Sequence, residues 1–140
     1  MTVTAHSVLG TAGRLLTGVP LMMFGYEAAS DPGPRVGMAA PLLDKMREVV
    51  PVPVDNETIV RANGAAQVVG GALIASGVAP VAGAGLIAGS LIPTTAAGHA
   101  YWEMEDPAMR NAHKTHFRKN IVLIGAALSA AAAASRIAGK

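Results

Sequence analysis

The sequence predicts an all-α protein: an integral membrane four-helix bundle with a short interfacial helix in its first loop. Three observations carry that prediction. Hydrophobic residues make up 51% of the chain and charged residues only 14%, against roughly a quarter charged in a typical soluble domain. The charges are also gathered: residues 31–61 hold nine of them, and most of the rest lie in 103–119. Outside those clusters run four apolar stretches, each close to the roughly 20 residues a helix needs to cross a bilayer. Backbone groups in lipid must be bonded internally, and the alternation expected of a β-barrel is absent, so helices are the natural form. The 140 residues make a single domain, 1–140.

The first expected span is 9–28, with Arg14 its only charge before Glu27. It has no basic head and no small-residue cleavage site, so it reads as a retained span rather than a signal peptide. Arg14 sits inside it, where an ionisable residue costs at least ~2.5 kcal/mol at a helix centre and less near the ends. Snorkelling to the near interface is the simple reading. Contact with an anion, a lipid or a quinone carbonyl is the sharper one. Glu27 cannot pair with Arg14 along the helix, being roughly 20 Å further on at 1.5 Å per residue.

In the first loop, Leu42, Leu43, Met46, Val49 and Val50 fall on one helical face, and Asp44, Lys45, Arg47 and Glu48 on the other. Pro41 suits a first helical turn, and Pro51 and Pro53 stop the run. A short helix lying in the interface and capping the bundle follows, with a docking surface for a soluble partner as the alternative. The second span is 58–78, with Arg61 near enough to its start to snorkel.

The third span is 80–100 and carries no charge. A turn near 79–81 joins it to the second as a tight antiparallel hairpin. Pro93 is expected to break it, leaving the Gly89 carbonyl without a donor, with Thr94 and Thr95 placed to re-satisfy the backbone. The fourth span is 117–137. The stretch 114–120 puts Lys114, Arg118 and Lys119 at a helix N-terminus, against the helix dipole. Glu103, Glu105 and Asp106, or anionic headgroups, would compensate. Asn120 enters the span and can hydrogen-bond across helices.

Small residues four apart let helix backbones approach. Gly85 and Gly89 have that spacing in the third span, Ala66 and Gly70 in the second with Gly71 adjacent, and Gly125, Ser129 and Ala133 in the fourth. They point to a tightly packed bundle, within one chain first and between copies second. Eight Lys/Arg (Arg35, Lys45, Arg47, Arg61, Arg110, Lys114, Arg118 and Lys119) lie in the two charged loops, against Arg14, Arg136 and Lys140 on the side of the termini. The positive-inside rule then puts the charged loops in the cytoplasm and both termini outside.

Chemistry-bearing residues collect at the end of the third span and the start of the fourth. His99 and Glu103 are four apart, the spacing of a shared helix face. Tyr101 and Trp102 are placed like interfacial anchors. His113 and His116 are three apart. With His99 and Glu103 they would give four donors at one face, but the spacing matches no ligand motif, and no metal site is assigned. They read as interface residues or as hydrogen-bond donors to a ligand. The absence of cysteine excludes disulfides, thiolate metal ligation and persulfide chemistry on this chain. A net charge of only +2 gives no case for nucleic-acid binding.

The residues just described carry a family resemblance. Four spans in this length, an arginine in the first with Gly25 near its end, Gly70-Gly71 and the exit at Gly77 resemble the DoxX family of small membrane proteins. The more specific match is Pro93-Thr-Thr-Ala-Ala-Gly-His-Ala-Tyr-Trp-Glu103, then His116-Phe-Arg-Lys-Asn120 with Gly125. These resemble the third- and fourth-span motifs of actinobacterial members. The resemblance implies a multi-pass protein of the bacterial cell membrane. It also implies a link to thiosulfate:quinone oxidoreductase, thiol and oxidative-stress handling, and soluble redox enzymes as partners.

Two functions follow as expectations. The first is a non-catalytic accessory or anchor subunit of a larger redox or cell-envelope complex, contacting lipids and other membrane or membrane-associated subunits. The second is a quinone-interacting redox subunit. Its contacts would come from Arg14, Thr94, His99, Trp102, Glu103, His116 and Asn120, with Gly70, Gly71, Gly85, Gly89 and Gly125 packing the helices. Quinone is the only cofactor suggested, and no catalytic residue is assigned. Arg14 falls near the opposite face from His99, which counts against one shared site.

Overall fold

The computed structural model of the chain describes residues 5–138. Among these there is no strand. The order is α1 (Ala5–Ser30), α2 (Arg35–Val49), α3 (Asn56–Ser76), α4 (Pro80–Gly98), a 3-10 turn (Tyr101–Glu103) and α5 (Pro107–Ala138). Of the positively charged residues counted on the side of the termini, Lys140 and the side chain of Arg136 lie outside what is described.

The helix ends follow local chemistry. Asp55 caps α3, accepting the Thr58 N–H at 2.9 Å and the Thr58 hydroxyl at 2.7 Å. Those two bonds hold its carboxyl below the usual carboxylate range. Gly77 ends α3 in the left-handed conformation, φ 73°, which a side chain would resist. Asp106 accepts the Met109 N–H at 2.8 Å, and Pro107 supplies the first turn, so α5 starts ten residues before the expected 117. That corrects the dipole argument. Lys114, Arg118 and Lys119 stand two or more turns into α5, beyond the first turn where the dipole is felt. They need no compensating acid there.

Three helices are long and apolar enough to cross a membrane: the stretches Ser7–Ser30, Pro80–Glu103 and Pro107–Ser135. These match the first, third and fourth expected spans. The second, 58–78, is helical as α3 but falls short of that apolarity. Asn56, Glu57, Arg61, Asn63 and Gln67 lie along it. The packing suits this polarity, because α3 runs between α1 and α4 and also meets α2 and α5. Its Val60, Gly64, Gln67, Gly70, Gly71 and Ile74 are buried.

Glycine sets the closest approaches. α1 and α3 run antiparallel, with Gly18 against Gly71 and Gly25 against Gly64. A Cβ on Gly71 would come 2.6 Å from the Gly18 carbonyl oxygen, and one on Gly25 equally close to that of Gly64. Gly70 meets Gly83 of α4 in the same way. Gly70 and Gly71 therefore pack helices as expected. Gly85, Gly89 and Gly125 pack against no helix of this chain: each is exposed, with nothing within 4 Å of where a Cβ would stand. The four-residue spacing is present on α4 and α5, but there it falls on the outward face. The core beyond the glycine seam is Leu21, Ile74, Ala84, Ile87, Leu91, Ala127, Ala130 and Ala131. Large apolar side chains also face outward around the bundle, including Leu16 at 76% exposure, Ile92 at 61% and Val122 at 68%.

The prolines behave differently from expectation. Pro93 does not break α4, which continues to Gly98. The Thr94 hydroxyl donates to the Ser90 carbonyl at 2.8 Å and that of Thr95 to Leu91 at 2.6 Å. Neither goes to Gly89. The ring of Pro93 lies on the exposed face, where the i−4 residue is a glycine with no side chain to crowd it. Pro41 stands inside α2 rather than in its first turn, because the helix begins at Arg35 after the Gly33 turn, φ 46°. On α2, Leu43 is buried and Leu42 half-buried, while Met46 and Val49 stay exposed; Val50 lies past the helix end in extended backbone and so does not share that face.

Candidate functional site

All five helices bound one cavity of about 470 Å³, within the roughly 300–1,000 Å³ range of small-molecule sites. α1 gives Leu21, Phe24 and Ala28, and α2 gives Met38, Leu42, Leu43 and Met46. α3 supplies Asn63 and Gln67, α4 supplies Leu91 and Thr94, and α5 supplies Asn120 and Leu123. Arg35, His99 and Lys119 stand at the end nearer the charged loops.

The polar wall is built by helical spacing. Asn63 and Gln67 are one turn apart on α3 and face the Ser90–Thr94 turn of α4. The Asn63 amide donates to the Thr94 hydroxyl at 3.0 Å, which in turn donates a hydrogen bond to the Ser90 carbonyl. On the other side, the Asn120 amide donates to the Thr95 hydroxyl at 3.0 Å. Because each threonine hydroxyl also back-bonds within α4, each accepts the amide without losing a donor.

Beside the cavity, the end of α4 meets the first turns of α5. The chain leaves helix at Gly98, and His99 is its C-cap with an N–H to the Thr95 carbonyl at 3.0 Å. His99 and Glu103 therefore do not share a helix face, which corrects that expectation; Glu103 lies exposed in the 3-10 turn. His99 stacks on His116, ring centres 5.1 Å apart and 16° from parallel. His113 Nδ1 donates to the Gly98 carbonyl at 3.0 Å and lies 3.4 Å from His99 Nδ1. Stacked rings do not converge on a point, and among the described residues no three His, Cys, Asp or Glu side chains are grouped to hold a metal. Tyr101, Trp102 and Phe117 form an edge-to-face aromatic cluster next to the histidines.

Of the sequence candidates, Thr94, His99 and Asn120 meet at the cavity. Trp102, Glu103 and His116 stand outside it, on the neighbouring surface. Arg14 is at the other end of the bundle. Its guanidinium lies by Gly77 at the C-terminus of α3, with Nε buried and without a hydrogen-bond partner, a position the helix dipole favours. Its Nη2 reaches the Thr11 hydroxyl at 3.4 Å. Arg61 does the mirror-image job. It donates to the Ala29 and Ser30 carbonyls at the end of α1 and pairs with Glu57 at 2.8 Å. Sequence reasoning missed Asn63 and Gln67. The signal was available: two carboxamides one turn apart in an otherwise apolar stretch, opposite Ser90 and Thr94 at the same spacing.

Comparison of the chain with family models, with curated proteins and with solved structures finds no match in any of the three.

Proposed function

We propose that this chain is a small membrane subunit of the DoxX type, crossing the bilayer four times with α2 lying at the surface, and that it serves as an accessory or anchor to a larger redox or cell-envelope complex. The outward apolar side chains support membrane burial, and the central position of α3 explains how a more polar helix can be the fourth crossing. The observation that favours an anchor is α5. Its 32 residues measure roughly 48 Å, well over the ~30 Å of a hydrocarbon core. The polar first turns, with Met109, Arg110 and Asn111 exposed, offer an ordered surface outside the membrane.

A second reading, a quinone-interacting subunit, is favoured by the cavity that unites Thr94, His99 and Asn120. Purification from native membranes in mild detergent separates the two. A stoichiometric partner should co-purify. His99→Ala should leave composition and turnover near wild type if the chain is an anchor. A complex normal in composition but inactive with quinone would overturn the anchor in favour of the second reading.

The orientation proposed places the charged loops in the cytoplasm, from the eight-to-three Lys/Arg asymmetry. A C-terminal reporter that fluoresces only in the cytoplasm should stay dark. Strong fluorescence would reverse it.

A further inference from the structure

Gln67 is the odd side chain of the cavity. It is only 5% exposed, yet among the described residues no hydrogen bond reaches its amide, while Asn63 and Asn120 beside the same cavity are each bonded. Nor is its amide among the polar atoms sealed from solvent without a partner. It therefore opens onto the cavity it lines. Buried polar groups are almost always satisfied, so a donor and an acceptor left open at this depth point to something that satisfies them. Gln67 is twelfth in α3, roughly 17 Å along the helix from Asn56 at 1.5 Å per residue. Among the described residues, the side-chain amide oxygens of Asn63 and Asn120 likewise accept no hydrogen bond, the Ser90 hydroxyl going to the Asn63 main-chain carbonyl instead.

We propose that the cavity is a binding site for an uncharged amphiphile whose carbonyl or hydroxyl group is held at the inner end by Gln67, with Asn63 and Asn120 flanking. The inference rests on the cavity that favours the second reading, without requiring a quinone, and adds what is bound and by which group. Polarity along the cavity selects this ligand class. The cations lining the cavity are Arg35 and Lys119, on the side of the charged loops, and Gln67, the furthest of the three carboxamides from that side, is neutral. A fatty acid held head-outward by those cations would push its tail against Gln67 and leave the amide unpaired, which disfavours it. A compact molecule with oxygen at one end and an apolar body meets both: the oxygen reaches the carboxamides, and the body lies along Leu21, Phe24, Leu42 and Leu43. Two sources share that chemistry, a quinone ring and a monoacylglycerol.

The test uses the full chain in lipid nanodiscs, with a short-chain naphthoquinone, monoolein and oleate as probes, read by thermal shift and by native mass spectrometry. A neutral probe should bind, and Gln67→Leu should weaken it about tenfold without lowering the melting temperature of the ligand-free protein, since no bond within the chain is lost. Gln67→Glu should weaken it as well, and oleate should bind less well than the neutral probes. Monoolein binding that depends on Gln67, with no quinone binding, would uphold this site and remove the quinone reading. Quinone binding that is unchanged in Gln67→Leu but lost in His99→Ala would uphold the quinone reading and overturn this site. Binding of no probe, or of oleate best, would overturn it too.

Discussion

Replacing Gly71 with leucine should stop the bundle from closing. The first added atom would stand 2.6 Å from the Gly18 carbonyl oxygen and 2.8 Å from Met22. Met22 can swing aside, but the carbonyl is part of a helix and cannot. Overpacking a well-filled core costs about 1–3 kcal/mol when side chains can give way. Here two backbones must part along the whole α1–α3 seam, so the loss should reach or exceed the top of that range. The expected result is aggregated or degraded protein in place of a single peak on size exclusion in detergent. Gly85→Leu is the matched control. Its Cβ meets nothing, and the variant should be as abundant and as heat-stable as wild type. A well-behaved Gly71→Leu would mean that the helices do not meet here.

The second large effect is expected at Arg61. Its Nη1 serves the Ala29 and Ser30 carbonyls at the end of α1, while Nε and Nη2 hold the Glu57 carboxylate. Those two carbonyls belong to the last turn of α1, where no intrahelical donor exists. Hydrogen bonds from a charged donor are worth roughly 1.5–3 kcal/mol each when sheltered. This guanidinium is partly exposed, so about 2 kcal/mol in all is the expected cost of Arg61→Met. Glu57→Gln removes only the ion pair, worth about 0.3–0.5 kcal/mol for exposed residues one helical turn apart. Thermal unfolding in detergent should rank the variants in that order. Equal losses would put the stability in the ion pair and not in the α1 carbonyls.

Much of this architecture is legible in the sequence because apolar runs and capping residues act locally. The α3–α4 turn is readable from Gly77 and Pro80, and the long apolar helices α1 and α4 from composition. The start of α5 was also written there, as Asp106-Pro107, but the polar residues that follow hide the helix from any hydropathy reading. Which face of a helix is inward is less accessible. Gly85 and Gly89 have the spacing of a packing pair and point outward. The glycines that do pack recur at seven residues, 18 and 25 against 64 and 71, and the match needs both helices at once. The cavity was half legible: Thr94, His99 and Asn120 were singled out separately, each for its own reason. Their meeting with Gln67 depends on α3 being central, which is a tertiary fact.

α5 also has a mechanical consequence. α5 runs as one unbroken helix from Pro107 to Ala138, with Gly125 its single glycine and no proline after Pro107, so it moves largely as one rod. Ala127, fully buried in the core, is a natural fulcrum. From there Arg110 is roughly 25 Å up the rod and Asn120 roughly 10 Å, at 1.5 Å per residue. A sideways pull of about 5 Å at Arg110 would move Asn120 by about 2 Å by that lever ratio. A displacement of that size exceeds the tolerance of its 3.0 Å bond to Thr95. A load on the N-terminal end of α5 would thus reach the cavity wall through a single lever with an arm ratio near two and a half.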